Sequence, residues 1–582
     1  MAAGLATCHI IMAVGSAMHT SQNETNMKAW NSPLRVLIIG IDGGTFDLVE
    51  PWAEAGLLPT FQRLMSEGSW GRLRSTMPPI TAPAWSSFIT GKNPGKHGLI
   101  DFVFRQPDSY DVSPVNASMR CGRSLWSLLN KGGKSVVVVN VPVTFPPEAV
   151  DGCMITGLLT PSERSAFTYP PELADDLRSR GYRIHSPQSY ARGDIDRLIR
   201  ATYDTTDLQL GTVRRLMKEC SWDFLMYVFR GSDRLQHGLW HFMDPSHPLH
   251  QAPGSDRYRD AILDYYRYMD RQIADLLAEL DEQTVLVLMS DHGAGPFHKY
   301  IYMNNWLLRW GLLQLKDKPW TRLKRMSFAL GITPVNMYNL LLRVGLGGLK
   351  GKVTKGKGEK RLAHLFLSFK DVDWARTKVY SLGNAGQLWI NLKGREPMGS
   401  VAPGSEYETV RQDVIQRLME MRDPETGESL VDAVYTREML FHGPALGQMP
   451  DIVFVPKGFR YLSFGEYEFA SHRLVDVSYG ITGWHRQEGM ILLHGAPLQA
   501  SRRLQEARIE DVAPTVLYLM DQPVPADMDG QVLADALLPE WIDPSRLQPV
   551  EADTSPTHKH TGFSAEDENE VRQRLQGLGY LG

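Results

Sequence analysis

The segment Arg35–Asp47, RVLIIGIDGGTFD, places a carboxylate and two glycines directly after a run of aliphatic residues. Three interpretations of it are open. It is typical of a nucleotide-binding strand with a glycine turn, of the first phosphate loop of a sugar-kinase or actin type fold, or of a strand whose terminal Asp42 binds a metal ion. The rest of the chain has to decide among them.

The composition is that of a soluble globular enzyme. The chain has 582 residues, of which 43% are hydrophobic and 22% charged, and its formal net charge is −4. This length predicts one large domain with insertions, or two domains. The net charge gives no reason to expect nucleic acid as a partner. The four cysteines contain no CxxC pair, which argues against a disulfide framework and a thiolate zinc site, so we expect a reducing, cytoplasmic location.

The ends of the chain differ from its centre. Residues 1–33 have no basic segment before their short apolar run, so we expect a flexible extension rather than a secretory signal. No run approaches the roughly 18 apolar residues that are needed to cross a bilayer. We expect a catalytic domain over 34–540 and a polar tail over 541–582. In that tail, Ser564 is expected to cap a short helix that runs to Leu578.

Six short aliphatic runs without polar alternation predict strands buried on both faces, as in a parallel sheet. They are Val36–Ile41, Val136–Val141, Phe224–Phe229, Val285–Met289, Ile452–Val455 and Met490–Leu493. Apolar residues at helical spacing over 262–280 and 410–421 predict helices between them. This order predicts an α/β sandwich with a mostly parallel central sheet flanked by helices.

One basic segment departs from this pattern. Between Lys299 and Arg361 there are 14 Lys or Arg residues, mixed with Leu, Trp and Met, against only Asp317 and Glu359. We interpret 299–370 as an inserted helical, basic region. It could be a solvated lobe, a cap over the active site, or a surface that lies on an anionic membrane or covers a lipid-linked or polyanionic substrate.

Polar residues follow three of the predicted strands. They are Asp42, the pair Asp233 and His237, and the pair Asp291 and His292. Ligands gather at the carboxyl ends of strands in open α/β sheets. The pair at 233 and 237 would share one helix face, where it could chelate an ion. Each residue also has an ordinary explanation as a turn, a helix cap or an exposed helix pair, but their combination predicts a metal site.

Thr81 lies in a segment, ITAPAWSSFITG at 80–91, that has the pattern of a helix N-terminus. It could be the N-cap residue. A hydroxyl at the positive end of a helix is also well placed to attack phosphorus as an alkoxide, if a metal lowers its pKa. The two roles can coexist.

Together the motifs resemble the alkaline phosphatase superfamily, specifically its type I phosphodiesterase and nucleotide pyrophosphatase branch. In chain order they are IDGG at 41–44, Thr81 within ITAPAWSSFITGKNPGKHG, DRLQH at 233–237, SDHG at 290–293, and GWH at 483–485. The resemblance covers about residues 34 to 540. It implies an alkaline phosphatase-like sandwich and a metal-dependent phosphoric ester hydrolase, either a phosphodiesterase or a phosphatase.

The resemblance also implies a site with two divalent ions. The ligands would be Asp233, His237 and His485 for one ion, and Asp42, Asp291 and His292 for the other. Thr81 would face both ions, become phosphorylated, and release phosphate when water attacks from the opposite side. Three carboxylates and three imidazoles suit zinc, and manganese would accept the same set.

His485 is selected only by the resemblance. It lies in a predicted loop, and His472 and His494 are close to it in sequence. The residues themselves leave the choice among the three histidines open.

One position departs from the nucleotide pyrophosphatase pattern. In that pattern an Asn follows the His-Gly of the nucleophile helix and donates to a phosphate oxygen, whereas this chain has Phe102 there. Phosphate oxygens need donors, so another group has to serve. The candidates are Lys96, His97, Arg230 and Arg234, each of which could instead be an ordinary surface charge. The chain is closest to a branch of predicted phosphohydrolases and phosphomutases with poorly defined substrates.

Several rival functions can be compared with these motifs. No cysteine lies in the CxPxR context of a sulfatase, a cofactor-independent phosphoglycerate mutase would have Ser in place of Thr81, and a lipid-directed transferase would normally have membrane spans. A sugar kinase would need a second glycine-rich phosphate motif. A phosphomutase or phosphotransferase of the same superfamily stays open as an alternative, as does a degenerate metal-binding scaffold that acts through the basic insertion.

Overall fold

The structure is a computed structural model of the chain. It describes residues 34–187, 194–251, 253–334, 336–337, 365–463, 465, 469–478, 480–552 and 561–578. The extension predicted over 1–33 lies outside the described residues, as do residues 335 and 338–364 of the basic insertion.

Strands are numbered in chain order. They are β1 Arg35–Ile41, β2 Ser69–Arg74, β3 Val103–Arg105, β4 Val112–Pro114, β5 Val136–Val141, β6 Gly152–Thr156, β7 Thr168–Tyr169, β8 Phe224–Phe229, β9 Thr284–Met289, β10 Gly293–Pro296, β11 Lys299–Ile301, β12 Val379–Ser381, β13 Gln387–Ile390, β14 Val431–Thr436, β15 Ile452–Pro456, β16 Tyr461–Ser463, β17 Val475–Val477, β18 Gly483–Arg486, β19 Glu488–His494 and β20 Arg502–Arg508.

The α-helices are numbered in the same way. They are α1 Phe46–Glu54, α2 Pro59–Glu67, α3 Thr81–Thr90, α4 Pro94–His97, α5 Leu125–Lys131, α6 Leu173–Ser179, α7 Ile195–Glu219, α8 Gly231–Met243, α9 Ser255–Tyr258, α10 Ala261–Leu277, α11 Met303–Arg309, α12 Pro319–Ala329, α13 Ser405–Met419, α14 Arg437–Leu440, α15 Val512–Leu519 and α16 Ala565–Gly577. None of the helices in the described ranges has a stretch both long and apolar enough to cross a bilayer.

A nine-stranded sheet forms the centre of the molecule, in the order β20-β2-β19-β9-β1-β8-β5-β6-β7. Strand β1 lies between β9 and β8 and is parallel to both, with Ile41 opposite Phe229 and Gly40 opposite Met289. The carboxyl ends of these three strands therefore lie at one edge of the sheet.

Helices cover both faces of this sheet, which explains why its central strands are aliphatic without alternation. Along β1, Leu37, Ile39 and Ile41 pack into one apolar cluster with α1, α2, α7 and α10. Val36 and Ile38 pack into a second cluster with α3, α5 and α15. The α/β class, the mostly parallel central sheet and the flanking helices agree with the sequence prediction.

Two of the six aliphatic runs form strands of a different kind from the one predicted. Strand β19 lies in the main sheet but is antiparallel to both of its neighbours, β9 and β2. Strand β15 belongs to a separate antiparallel sheet, in the order β12-β13-β15-β14. The parallel assignment is wrong for both runs, because an unbroken aliphatic run reports burial on two faces and not strand direction.

The described part of the basic insertion packs against this smaller sheet. Trp306 and Leu307 of α11, together with Phe369, share one apolar cluster with Val379 and Tyr380 of β12. These contacts attach the described part of the basic insertion to the sheet that contains β12. The domain boundaries proposed from the sequence stay predictions.

The C-terminal helix α16 begins at the expected place, with the Ser564 side chain accepting a hydrogen bond from the Asp567 amide. It is not a loose tail. Val571 and Leu575 are fully buried in an apolar cluster that also contains Phe102 and Trp484. The helix therefore belongs to the folded body, although some 80 residues separate it from β18 in the sequence.

We predict that Gly40→Ala destabilises the protein. A β-carbon at Gly40 would lie 2.6 Å from Trp85 Cη2 and 2.9 Å from Val228 Cγ2, both in a packed core. The expected cost is about 1–3 kcal/mol, measured as a lower melting temperature. Gly211→Ala is the matched control, since a β-carbon there meets nothing within 4 Å. Equal melting of the two variants would contradict this packing.

Candidate metal centre

Three neighbouring strands deliver most of the predicted ligands to one edge of the sheet. Asp42 directly follows β1. Ser290 directly follows β9, and Asp291 and His292 come next in the chain. Helix α8 begins two residues after β8 and carries Asp233 and His237 on one face, four residues apart. All five residues are buried. The parallel order of the strands is what brings them together.

His485 reaches the same place by a different route. Its strand, β18, pairs antiparallel with β10, which starts directly after His292, and Ala294 lies opposite His485. His494, by contrast, lies with its Nε2 atom 3.3 Å from a carboxylate oxygen of Glu67. His472 is exposed on a segment near Gly331. Of the three histidines, the structure brings His485 to the carboxylates.

The first predicted ligand group is compact. Asp233 Oδ1 lies 3.1 Å from His237 Nε2 and 3.6 Å from His485 Nε2, and the two Nε2 atoms are 3.2 Å apart. Atoms bound tetrahedrally to one zinc ion lie about 3.3 Å apart, given metal–ligand bonds of roughly 2.0–2.1 Å. The spacing of the three atoms suits one common ion.

The second group adjoins the first. The ligand atoms of Asp42, Asp291 and His292 all lie within 4.8 Å of one another. His292 Nε2 is 3.7 Å from Asp42 Oδ1 and 3.3 Å from Asp291 Oδ2. The ring of His292 stacks on that of His485 with a centroid separation of 3.6 Å, so the two groups share a boundary.

Main-chain carbonyls orient the three imidazoles. The Nδ1 atoms of His237, His292 and His485 lie 2.7, 2.9 and 2.8 Å from the carbonyl oxygens of Gly483, Gly293 and Pro79. A carbonyl can only accept, so each Nδ1 carries a proton and each ring turns its Nε2 inward. Burial, followed by the nearby His292, lowers the pKa of His485 to about 3, which favours the neutral form of that ring.

The resulting site is rich in acceptors and poor in positive charge. Burial and the nearby Asp291 and Asp233 raise the pKa of Asp42 well above its usual value, and burial with Asp233 raises the pKa of Asp291 to about 8. Asp42 Oδ1 and Asp291 Oδ2 are buried without a hydrogen-bond partner among the described residues. Divalent cations would supply both the charge and the coordination that these atoms lack, so the residues fit a metal centre.

Thr81 lies beside this centre. It is the first residue of α3, and Ile80, not Thr81, holds the N-cap position. The N-cap interpretation of Thr81 is therefore wrong. No side chain caps this helix end, and the hydroxyl oxygen Oγ1 lies 3.1 Å from His292 Nε2 instead. The positive end of the ten-residue helix α3 therefore points toward the ligand groups.

Gly43 shows what the glycines of the opening segment do. Its φ angle is +68°, and a β-carbon there would lie 3.3 Å from Asp233 Oδ1 and 3.1 Å from Gln236 Nε2. Its amide nitrogen donates to Asp291 Oδ1 at 3.2 Å. Glycine lets the chain turn beside the carboxylates and support one of them, without forming a phosphate loop.

The four candidate phosphate contacts lie in two different places. Lys96 Nζ donates to Asp529 Oδ1 at 2.6 Å and to the Asp527 carbonyl at 2.9 Å. His97 is fully buried, with its Nε2 atom 2.9 Å from Ser87 Oγ. Both side chains are therefore engaged by groups other than the predicted metal ligands. Phe102 itself is buried in an apolar cluster.

The two arginines are close to the centre. Arg230 immediately precedes α8, and its Nε atom lies 3.8 Å from Asp42 Oδ2. Arg234 follows one turn later and is 9% exposed. Of the four candidates, Arg230 contacts a predicted metal ligand, and Arg234 lies one turn further along α8.

Two further residues, Arg574 and His185, which the sequence analysis did not single out, lie on the same side as these arginines. Arg574 of α16 and His185 both contact the carbonyl oxygen of Thr160. Burial and the charges of Arg574, Arg230 and Arg234 lower the pKa of His185, so each of the three arginines lies within electrostatic range of His185. We call His185, Arg230, Arg234 and Arg574 the basic wall. Only the fold relates them, because some 340 residues separate Arg234 from Arg574 in the sequence.

Comparison with known proteins identifies relatives of this arrangement. Residues 36–475 match the family model described as type I phosphodiesterase/nucleotide pyrophosphatase. No curated protein matches the sequence.

Solved structures with a similar fold include phosphonoacetate hydrolase from Sinorhizobium meliloti 1021, in complex with phosphonoformate or with phosphonoacetate. Both are 15% identical to this chain, with TM-scores of 0.51 and 0.50, and the alignments cover 84% of this chain and 96% of that chain. Human ectonucleotide pyrophosphatase/phosphodiesterase 5 is 13% identical, with a TM-score of 0.43 and coverage of 84% and 95%. The phosphonoacetate hydrolase likeness confirms the alkaline phosphatase-like fold.

We predict that His237→Ala and Asp291→Asn each lower the affinity for divalent ions by at least about tenfold, because each removes one inward-facing ligand atom. The measurement is elemental analysis after dialysis against metal-free buffer. His494→Ala is the control, since it removes an imidazole that lies against Glu67. Wild-type metal content in both variants would show that His237 and Asp291 are not metal ligands.

Proposed function

The chain belongs to the type I phosphodiesterase/nucleotide pyrophosphatase family, whose members hydrolyse phosphoesters, and from that membership we propose a phosphoric ester hydrolase that acts through a phosphothreonine at Thr81. Two divalent ions, held by the ligand groups described above, would be its cofactors. The observation that supports this most directly is the position of Thr81 Oγ1, 3.1 Å from His292 Nε2 at the boundary of the two groups.

Bound at these residues, the metal ions would lower the pKa of the Thr81 hydroxyl and would supply positive charge to the phosphoryl oxygens. Zinc is the first choice, since three imidazoles and three carboxylates are typical zinc ligands, and manganese would accept the same atoms. The carbonyls of Gly483, Gly293 and Pro79 keep the imidazoles in the tautomer that can bind a metal. The protein thus fixes the ligand geometry before a substrate arrives.

Thr81 is the proposed nucleophile. Its oxygen forms a bond to phosphorus while the bond from phosphorus to the leaving oxygen breaks, and the alcohol leaves with a proton. Water then cleaves the phosphothreonine, which restores the hydroxyl and releases phosphate or a phosphomonoester. The N-terminus of α3 favours negative charge on Oγ1 in both steps. Transfer of the phosphoryl group to an alcohol instead of water would make the protein a phosphotransferase.

The basic wall is the proposed site of contact with phosphate oxygens. Arg230 approaches Asp42 of the metal centre, and its charge also acts on His185 and Arg574. Burial and the charge of Arg230 lower the pKa of Arg574 to about 10, against an opposing effect of Glu163. The guanidinium of Arg574 donates to two main-chain carbonyls and pairs with no carboxylate among the described residues. We infer that the wall takes the place of the missing Asn donor at Phe102.

We predict that Thr81→Ala abolishes turnover while the protein keeps its metal. The substrates are p-nitrophenyl phosphate, bis-p-nitrophenyl phosphate and p-nitrophenyl sulfate, each assayed with zinc and with manganese. Loss of the nucleophile is expected to lower the rate by at least about a thousandfold. Thr81→Ser, which keeps the hydroxyl, is the control and retains measurable activity.

Two further readouts separate the alternatives. A labelled phosphate should remain on wild-type protein after acid quenching and be absent from Thr81→Ala. Added glycerol as an acceptor distinguishes hydrolysis from phosphoryl transfer. Turnover by Thr81→Ala at the wild-type rate would overturn the proposed mechanism, and a lack of bound metal would overturn the proposed cofactors.

We also predict that Arg574→Gln lowers kcat/KM for these phosphate esters about tenfold, chiefly through KM, because a cation near the bound phosphate is lost. Gln keeps a donor for the Thr160 carbonyl, so the wall should stay folded. Arg572→Gln is the matched control on the same helix, where the guanidinium pairs with Glu568 at 3.0 Å. Equal kinetics for both variants would show that Arg574 does not contribute to substrate binding.

A further inference from the structure

Helix α12, in the basic insertion, is anchored to the protein by one polar face. Lys324 Nζ donates to Asp371 Oδ2 at 2.9 Å, and Thr321 Oγ1 donates to Asp371 Oδ1 at 3.2 Å. Both side chains of the Lys324–Asp371 pair are less than 10% exposed. Phe328, one turn after Lys324, packs edge-on against Phe469. These contacts fix which side of the helix faces the body of the protein.

The side that these contacts leave outward is apolar. The exposed fractions are 53% for Trp320, 50% for Leu323, 64% for Met326 and 79% for Leu330. At about 100° per residue, these four positions fall within an arc of about 120°. We call Trp320, Leu323, Met326 and Leu330 the α12 face.

This clustering is unlike the ordinary scatter of apolar residues on a protein surface. Six of the twelve large apolar side chains that are exposed among the described residues lie between positions 320 and 337. Such a concentration marks an interaction surface, whereas single exposed apolar residues need no explanation.

A basic stripe runs along one side of the α12 face. Lys318, Arg322 and Arg325 fall in the neighbouring sector of the helix, about 60° wide. Arg322 is paired with Asp317, whereas Lys318 and Arg325 pair with no carboxylate in the part of the chain that the structure describes. An apolar arc beside a basic stripe is typical of a helix that lies in the interface of an anionic membrane.

We propose that the α12 face docks this protein on an anionic phospholipid surface, with the four apolar side chains among the acyl chain ends and the basic stripe at the lipid phosphates. A second copy of the chain would cover the apolar residues but would also bring like charges into contact. An anionic bilayer supplies the apolar layer and the opposite charge together. The proposal does not depend on the phosphohydrolase chemistry.

The test is flotation of the full-length protein with vesicles of phosphatidylcholine, alone or with about one-third phosphatidylglycerol. Wild type is expected to float with the anionic vesicles, with at least about tenfold weaker binding to the neutral ones and at raised salt. The variant Leu323→Glu/Met326→Glu should lose at least about tenfold in binding to anionic vesicles. Met398→Glu/Met439→Glu, at residues 51% and 65% exposed elsewhere, is the matched control and should bind like wild type.

A melting curve of each variant checks the fold, and Met326→Glu alone serves as a milder replacement if the double variant unfolds. Equal flotation of wild type and the α12 variant would overturn the proposal, as would equal binding to neutral and anionic vesicles. A wild-type dimer that fails to float and that the α12 variant dissociates would assign the face to a second copy. Flotation only after deletion of residues 338–364 would assign the face to that segment of the same chain.

Discussion

The site depends on a set of acceptors that face one another inside the protein. Three carboxylates and three imidazole Nε2 atoms lie at the carboxyl edge of β9, β1 and β8, and the imidazole protons point away toward main-chain carbonyls. Acceptors repel one another unless something positive lies between them. The rest of the fold holds this arrangement in place, with an apolar core on each face of the sheet.

Each supporting element has a definite task in that arrangement. The pairing of β18 with β10 returns His485 to the ligands that follow β9. Gly43 makes the turn that keeps the backbone clear of Asp233. Helix α3 aims its N-terminus at the same place, and α16 adds Arg574 to the cationic side. A buried negative site and a basic wall thus lie side by side, which is the electrostatic pattern expected for binding a phosphate ester.

The strands of the central sheet and most of the candidate metal ligands could be predicted from the sequence, because they depend on patterns over a few residues. Aliphatic runs followed by Asp, and Asp233 four residues before His237, report burial and helix geometry over short distances. Strand direction was not accessible, because β15 and β19 are as aliphatic as the parallel strands. His485 could be chosen over its neighbours only through family resemblance, since its position depends on the pairing of two short strands. No sequence pattern indicated that Arg574 and His185 belong to the candidate site, because they come close to the other basic residues only in the folded protein.

The position of α16 bears on how the protein is made. The helix follows in sequence the residues that it contacts, which include Val112, Thr160 and Pro161. It brings Val571 and Leu575 into an apolar cluster with Ile80 and Trp484, the chain neighbours of Thr81 and His485. During synthesis, the sheet and the Asp/His groups can assemble before this helix has emerged from the ribosome. The wall that carries Arg574 cannot form until translation has passed residue 578. A nascent chain would therefore hold the Asp/His groups before it holds the complete basic wall.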